Sequence, residues 1–437
     1  MGARETALNV LIACRKEDGW SNGMLKAYIA RDRLDRRDAA LATRLCYGVV
    51  QNRNLLDFYL AQLLTGKVRG LHPAVRDILH LGLYQLYLMD KIPESAAVNE
   101  SVDLAKRYCK KVRSAPGLVN GVLRNAVRSK DTLTQPKSWE DKYSHPGELI
   151  NELKAYVGKE RMEAMLRANN EMAPMVVQVN TLKTTQAELT QRLEAEGVAV
   201  EPHAWMDNAL VVSSTGSIEQ LQSFRDGLFY VQDPASRLSV LCAQLPRENI
   251  KVLDCCAAPG GKSFAAAIAT AGKASITSCD VYAHKAELIA RGAERLGLPI
   301  TAMRHDATVY NPAWEAAFDA VVVDAPCSGY GIIRKKPDIR YKDIAQMRQL
   351  PQLQRAILEV QCRYVKPGGI LMYSTCTLTY PENEGMVEAF LKDHPEFFLE
   401  PLPLPDIFPK NESGMLALIP GQYDTDGFFI SRLRRKM

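Results

Sequence analysis

The sequence predicts a multi-domain protein: an all-α helical bundle, then a small α+β region, then an α/β domain built on a parallel sheet. Three observations carry this. The chain has 437 residues, too many for one ordinary core. Its apolar spacing is helical to about residue 140 and alternates between strand and helix after residue 250. Its charge divides in a related way: residues 1–130 hold 22 Lys and Arg against 12 Asp and Glu, and the remainder holds 33 against 38.

In the first segment Leu41, Leu45 and Val49 repeat at helical spacing, as do Val75, Leu79 and Leu83, then Val119, Leu123 and Val127. Interruptions at Gly66 and from Gly70 to Pro73 divide these runs, so six or seven helices are expected over residues 1–140. The positive balance there suits a phosphate-binding surface, although a solvated basic face has the same composition. Residues 131–145 are polar and contain Pro136, which predicts a linker. From 145 to 249 strands are expected at 175–179, 209–212 and 227–231, with a helix at 187–196.

From 250 to 437 the pattern becomes strand–helix–strand, the sign of a Rossmann-like parallel sheet wound with helices. Strands are expected at 250–255, 275–279, 300–304, 320–324, 369–374 and 427–433, and helices at 262–270, 285–296 and 346–364. Apolar content of 47% with 24% charged residues describes a globular chain rather than a disordered one. No apolar run reaches the ~20 residues of a membrane span. The start, Met1-Gly2-Ala3-Arg4-Glu5, has no apolar core, so no secretory signal is expected and the cytoplasm is the expected location. Ten cysteines include no C-x-x-C pair, so no metal site is expected and most should be small buried hydrophobes.

The segment Val252-Leu-Asp-Cys-Cys-Ala-Ala-Pro-Gly-Gly-Lys-Ser263 combines a buried strand, a small-residue loop and a helix start. A P-loop would need Gly where Cys256 stands, and G-x-G-x-x-G is absent, which disfavours a nucleotide hydrolase or helicase. A cofactor with a carboxylate at one end and a ribose in its middle fits better. Asp280, Asp306 and Asp324 stand at or just beyond successive strand ends, where a wound sheet borders its ligand crevice. Asp280 lies about 20 residues after the glycine loop, where a carboxylate accepts from ribose hydroxyls. Cys327 and Cys376 each follow an apolar strand, so both should face the same crevice as candidate nucleophiles.

Cys256-Ala257-Ala258-Pro259-Gly260-Gly261-Lys262, Asp324-Ala-Pro-Cys-Ser-Gly329 and Ser374-Thr-Cys-Thr-Leu378 resemble the signature motifs of the RNA 5-methylcytosine methyltransferases. Val231-Gln-Asp-Pro-Ala-Ser236 and Asp426-Gly-Phe-Phe429 resemble flanking motifs, and the likeness covers about residues 145–437. Residues 1–140 resemble NusB, through Asp38-Ala-Ala-Leu-Ala-Thr-Arg-Leu-Cys-Tyr-Gly48, Pro93-Glu-Ser-Ala-Ala-Val-Asn-Glu100 and Gly117-Leu-Val-Asn-Gly-Val-Leu-Arg124. Together they resemble the bacterial branch that modifies small-subunit ribosomal RNA.

That resemblance implies S-adenosylmethionine as methyl donor, cytosine carbon 5 as acceptor, and a covalent cysteine–RNA intermediate. It implies Cys376 as nucleophile and Cys327 in product release; Asp324, three residues before Cys327, is positioned to serve the base's Watson–Crick edge. Residues Cys256 to Lys262 would bind the methionine end, Asp280 the ribose and Asp306 the adenine, with Asp324 bordering the same site. A cysteine is required because carbon 5 is a weak nucleophile until a thiolate adds to carbon 6. The implied partner is small-subunit ribosomal RNA, with no membrane and no metal, and a monomer is expected. Transfer RNA as substrate and a non-catalytic ribosome-assembly factor are the rivals. Gln178 departs from the Arg usual in this family, which bears on RNA contact if that position faces RNA.

Overall fold

A computed structural model of the protein describes residues 2–16 and 22–437, so Met1 lies outside the described residues. It divides into two compact units: residues 1–151 with Lys336–Tyr341, and residues 152–335 with 342–437.

The first unit is helical, as expected: Ala3–Lys16, Asn22–Arg31, Arg36–Gln51, Arg53–Leu63, Pro73–Leu88, Glu94–Tyr108 and Ala115–Ser129. Punctuation follows chemistry. Asp35 accepts from the Asp38 N–H to start one helix, and Pro73 opens another where no N–H is needed. Leu45, Leu56, Leu60, Ile78, Leu79, Val119 and Leu123 form its core. The expected linker holds a short helix, Trp139–Lys142, capped by Ser138. The unit also contains Arg340, buried at 2% exposure, whose Nη1 donates to the Gln51, Tyr143 and Ser144 carbonyls at 2.8, 3.2 and 3.1 Å. No sequence pattern announced this insertion of a distant segment.

The second unit begins with two helices outside the expected set, Gly147–Val157 (which straddles the boundary) and Lys159–Ala168. A four-stranded antiparallel sheet follows, formed by β1 (Met175–Val179), β2 (Ala199–Pro202), β3 (Ala209–Ser213) and β4 (Phe229–Val231), in the order β2-β3-β1-β4. Strand β2 was not expected: it is largely exposed and carries a proline, so its apolar alternation is faint. Gln178 is fully buried: its Nε2 donates to the Gln232 carbonyl at 3.0 Å, and its Oε1 accepts from Arg237 at 2.6 Å. This corrects the concern about RNA contact, because the position belongs to the interior.

The main sheet is formed by β5 (Lys251–Asp254), β6 (Ser275–Asp280), β7 (Ile300–Arg304), β8 (Phe318–Asp324), β9 (Val365–Thr375), β10 (Phe397–Leu399), β11 (Met415–Leu418) and β12 (Phe428–Arg435). Its order is β10-β12-β9-β8-β5-β6-β7, with β11 paired to β12. Strands β5 to β9 run parallel, and β12 closes antiparallel on β9. The expected helix 346–364 is interrupted. Ile344–Met347 ends, and Leu350–Gln361 restarts with Pro351 in its first turn, because proline cannot continue a preceding turn. The chain passes from β5 to β6 and β7 on one side, then returns to β8 on the other. The crevice at the carboxyl ends of β5 and β8 is therefore the topological switch point.

Candidate active site

The candidate site residues Cys256 to Lys262, Asp280, Asp306, Asp324, Cys327 and Cys376 lie at this edge or on the loops and helix rising from it. After β5 the loop turns through Gly260, at φ +112, into the helix Gly261–Ala269. A Cβ at Gly260 would meet Phe264 Cζ at 2.5 Å, so the loop is closed to side chains there. Asp254, at the end of β5, is buried, and its Oδ2 accepts from Ser263 Oγ at 2.7 Å. Burial pushes its carboxyl up to about 6 despite that bond, and its Oδ1 has no hydrogen-bond partner.

Lys262 is 7% exposed. Its Nζ lies 2.6 Å from Asp324 Oδ2 and 2.9 Å from Ser236 Oγ, above the Phe428 ring. Asp324 also accepts from Ser374 Oγ at 3.1 Å, its register partner on β9. The glycine loop, β8, β9 and the Val231–Ser236 motif thus meet around one ammonium. Asp280 ends β6, with Oδ1 accepting from the Tyr282 N–H at 3.0 Å and Oδ2 3.8 Å from Lys285. Asp306 follows β7 and is mostly exposed; hydrogen bonds from the backbone and hydroxyl of Thr308 hold its carboxyl below the usual range.

Cys327 and Cys376, 49 residues apart in the chain, bring their sulfurs to 3.2 Å. Neighbouring parallel strands β8 and β9 deliver them, each on the first loop past a carboxyl end. The Cys327 thiol is raised well above its ordinary range, first by its hydrogen bond with Cys376, then by burial and by the charges of Glu382 and Asp324. Cys255 and Cys256, just past β5, form a second, looser pair at this edge with sulfurs 3.9 Å apart; all ten cysteines are free.

The two flanking motifs meet at Lys335, whose Nζ lies 2.7 Å from Asp233 Oδ2 and 2.6 Å from Asp426 Oδ2. Arg334 Nε donates to Asp426 Oδ1 at 2.9 Å. Burial and the neighbouring Asp233 charge push Asp426 up to about 6. Next to it the Gly427 N–H donates to the Gly331 carbonyl at 2.8 Å, and the Gly331 N–H to the Cys376 carbonyl at 2.9 Å. Lys335, Arg334, Asp254, Gly331 and Glu382 were not singled out in the sequence. Lys335 and Arg334 stand in a basic run that reads as solvated surface, and only Glu382, just past a cysteine motif, carried a usable signal.

The family model for 16S rRNA methyltransferase RsmB/F matches residues 242–434. A protein named probable ribosomal RNA small subunit methyltransferase B from Bacillus subtilis (strain 168) is 37% identical, across 99% of this chain and 98% of its own. The chain belongs to the RsmB/F methyltransferase family. The ribosomal RNA small subunit methyltransferase B of Vibrio cholerae serotype O1 is 34% identical over 93% of this chain and 92% of its own. The NusB family model matches residues 1–128, and a ferredoxin-like domain of RsmF/B-like methyltransferases matches 145–219.

Among solved structures, PH0851 is 25% identical and covers 99% of each chain at a TM-score of 0.81. A methyltransferase homolog protein from Pyrococcus horikoshii is 26% identical over 68% of this chain and 97% of its own, at 0.56. The fold of this RsmB/F member is therefore a NusB-type helical domain, a ferredoxin-like domain and a methyltransferase domain on a mixed sheet. Among its described residues no helix is long and apolar enough to cross a membrane, and no cluster of three His, Cys, Asp or Glu could hold a metal.

Proposed function

We propose that the protein methylates carbon 5 of a cytosine in small-subunit ribosomal RNA through a covalent bond to Cys376, with S-adenosylmethionine as donor. The observation that carries this reading is the pair of thiols 3.2 Å apart beside the Lys262–Asp324 ion pair at the switch point. The division of labour proposed is 1–140 for RNA grip, 145–249 for support and 250–437 for chemistry. The positive balance of the first segment and the names of the relatives favour ribosomal RNA.

The site fits the donor. The glycine loop admits only backbone at Gly260, the helix N-terminus behind it favours the methionine carboxylate, and Asp280 keeps acceptor capacity for ribose hydroxyls. Cys256 to Lys262 would line the methionine end, Asp306 the adenine, and Asp324 the border with the base. The bound donor supplies an electrophilic methyl on a sulfonium. A target base must leave its stack before carbon 6 is reachable.

Cys327, raised well above its ordinary range, keeps its proton 3.2 Å from Cys376, whose thiolate is the proposed nucleophile. That thiolate adds to carbon 6 and makes carbon 5 nucleophilic. Asp324, held by Lys262 and Ser374, would serve the Watson–Crick edge of the base. Once Cys376 is bonded to carbon, its sulfur is a neutral thioether, and the strongest influence holding the Cys327 proton is gone. Cys327 can then release its proton to water and, as a thiolate, take the carbon-5 proton as the Cys376–carbon bond breaks and its electron pair returns to Cys376.

The test is denaturing electrophoresis of wild type, Cys327→Ala and Cys376→Ala with 16S RNA and labelled S-adenosylmethionine. Wild type should label the RNA, Cys376→Ala should not, and Cys327→Ala should accumulate an RNA-shifted protein band. A shifted band in Cys376→Ala alone would reverse the two roles. Label entering transfer RNA but not 16S RNA would overturn the substrate, and no label at all would favour an assembly factor.

A further inference from the structure

The two cysteine loops are not held by the sheet alone. Downstream of Cys376 a 3-10 turn, Tyr380–Glu382, delivers a buried carboxylate, Glu382, 3% exposed. Its Oε2 accepts from the Ser328 N–H at 3.0 Å and from Gln354 Nε2 at 2.9 Å. Its Oε1 accepts from Ser328 Oγ at 2.6 Å and Thr379 Oγ1 at 3.0 Å. Gln354 Nε2 also donates to the Pro326 carbonyl at 2.9 Å. Both residues flanking Cys327 are therefore tied, directly or through Gln354, to Glu382.

The next residue does the same for the other loop. Asn383 is fully buried; its Oδ1 accepts from Thr375 Oγ1 at 2.6 Å, and its Nδ2 donates to the Thr377 carbonyl at 3.1 Å. Both residues flanking Cys376 are thus tied to Asn383. Tyr373 OH, donating to the Glu382 carbonyl at 2.7 Å, anchors the turn to β9. A buried carboxylate with four donors is costly to create and rigid once made, since each lost bond would leave a desolvated group unpaired.

We infer that Glu382 and Asn383 form a two-residue clamp, one residue for each cysteine loop, that sets the thiol–thiol separation. Neither touches the reacting atoms in this role; both are positioning residues. Glu382 adds a charge on the Cys327 side, where Cys376, Asp324 and Tyr373 are the other titratable groups in reach. The inference deepens the covalent reading above and rests on it only for its catalytic consequence.

The separation is read without catalysis. Diamide joins two adjacent thiols by taking one hydrogen from each onto its own nitrogen–nitrogen double bond. In wild type it should form the Cys327–Cys376 disulfide rapidly, identified by peptide mass. Glu382→Ala, checked as folded by its melting transition, should form it at least ~10-fold more slowly, because a ~1 Å displacement is enough to unmatch reacting atoms. Glu382→Gln is the gentler variant, since the hydroxyls of Ser328 and Thr379 can turn to face an amide.

Glu382→Gln should stay folded and move the alkylation profile of Cys327 by iodoacetamide to lower pH, because a nearby negative charge is lost. A residue that merely stabilised the fold would not move that profile, and Glu382→Asp should restore it. Where Glu382→Ala does not fold, the Glu382→Gln profile decides. Folded Glu382→Ala that joins the thiols at the wild-type rate, or Glu382→Gln with an unchanged Cys327 profile, would overturn the clamp. If wild type transfers no methyl group to RNA the methylation reading fails, while the cross-linking and alkylation results still judge the clamp.

Discussion

Gly427→Ala tests the close packing behind Cys376, the proposed nucleophile. Gly427 does not have a left-handed φ, so alanine costs nothing in backbone conformation there. Its new Cβ would stand 2.6 Å from Gly331 Cα, 2.9 Å from Leu378 Cδ1 and 3.1 Å from Pro420 Cδ. Leu378 can turn aside, but the Gly331 backbone must retreat by roughly 1 Å to reach ordinary contact. That retreat stretches Gly427 N–H to Gly331 O from 2.8 Å, and Gly331 N–H to Cys376 O from 2.9 Å, beyond bonding range.

Two buried hydrogen bonds at ~0.5–1.5 kcal/mol each, with ~1–3 kcal/mol of overpacking, sum to about 2–6 kcal/mol. A melting transition lowered by roughly 5–15 °C is expected for a unit of this size. Methyl transfer should fall by ~10²-fold even well below the transition, because the Cys376 carbonyl loses its tether. Differential scanning calorimetry and single-turnover labelling measure the two effects. Gly121→Ala, in the open helix Ala115–Ser129 with nothing within 4 Å, is the control and should be neutral or slightly stabilising. A Gly427→Ala protein within ~0.5 kcal/mol of wild type and fully active would refute the reasoning.

Further outcomes follow from other parts of the molecule. Asp280→Asn should weaken S-adenosylmethionine binding ~10–100-fold in calorimetric titration, since the proposed charge-assisted bond to the ribose would become a neutral one; unchanged affinity would remove Asp280 from the site. Arg340→Met should cost the helical unit about 2–5 kcal/mol, because three carbonyls, two of them buried, lose this donor; a shift within ~0.5 kcal/mol would show they find other partners. Asp254 titrates near 6 in the folded protein against 3.8 ordinarily, so the folded state binds more protons between those values. Stability should therefore fall as pH rises from about 4 to about 6, with Asp426 acting in the same direction, and Asp254→Asn should flatten part of that slope in urea titrations. An unchanged slope in Asp254→Asn would assign it to other groups.

Much of the architecture was legible because its signals are local. Buried strands such as β5 and β8 read as short apolar runs, and the helices of the first unit as repeats of three and four. Strands β2, β10 and β11 were missed because they are short and partly exposed, and owe their pairing to a neighbour rather than to their own pattern. The break before Pro351 was hidden by a helical spacing that continues across it. The cysteines and the three aspartates were visible as reactive types at strand ends and Lys262 at a helix start, whereas nothing in the run Arg334-Lys335-Lys336 marks Lys335.

The sequence by itself determined the inventory: which loops are free of side chains, which strands are buried, and which thiols and carboxylates stand past their carboxyl ends. Only the tertiary structure decided the partnerships. Setting β8 beside β5 and β9 makes Cys327 and Cys376 neighbours across 49 residues, and it pairs Lys262 with Asp324. The same packing buries Gln178 and turns Glu382 and Asn383 towards one cysteine loop each. The physical reason is that periodicity and turn chemistry act over a few residues. Strand order, and with it the meeting of distant groups, is set by which apolar faces can be buried together.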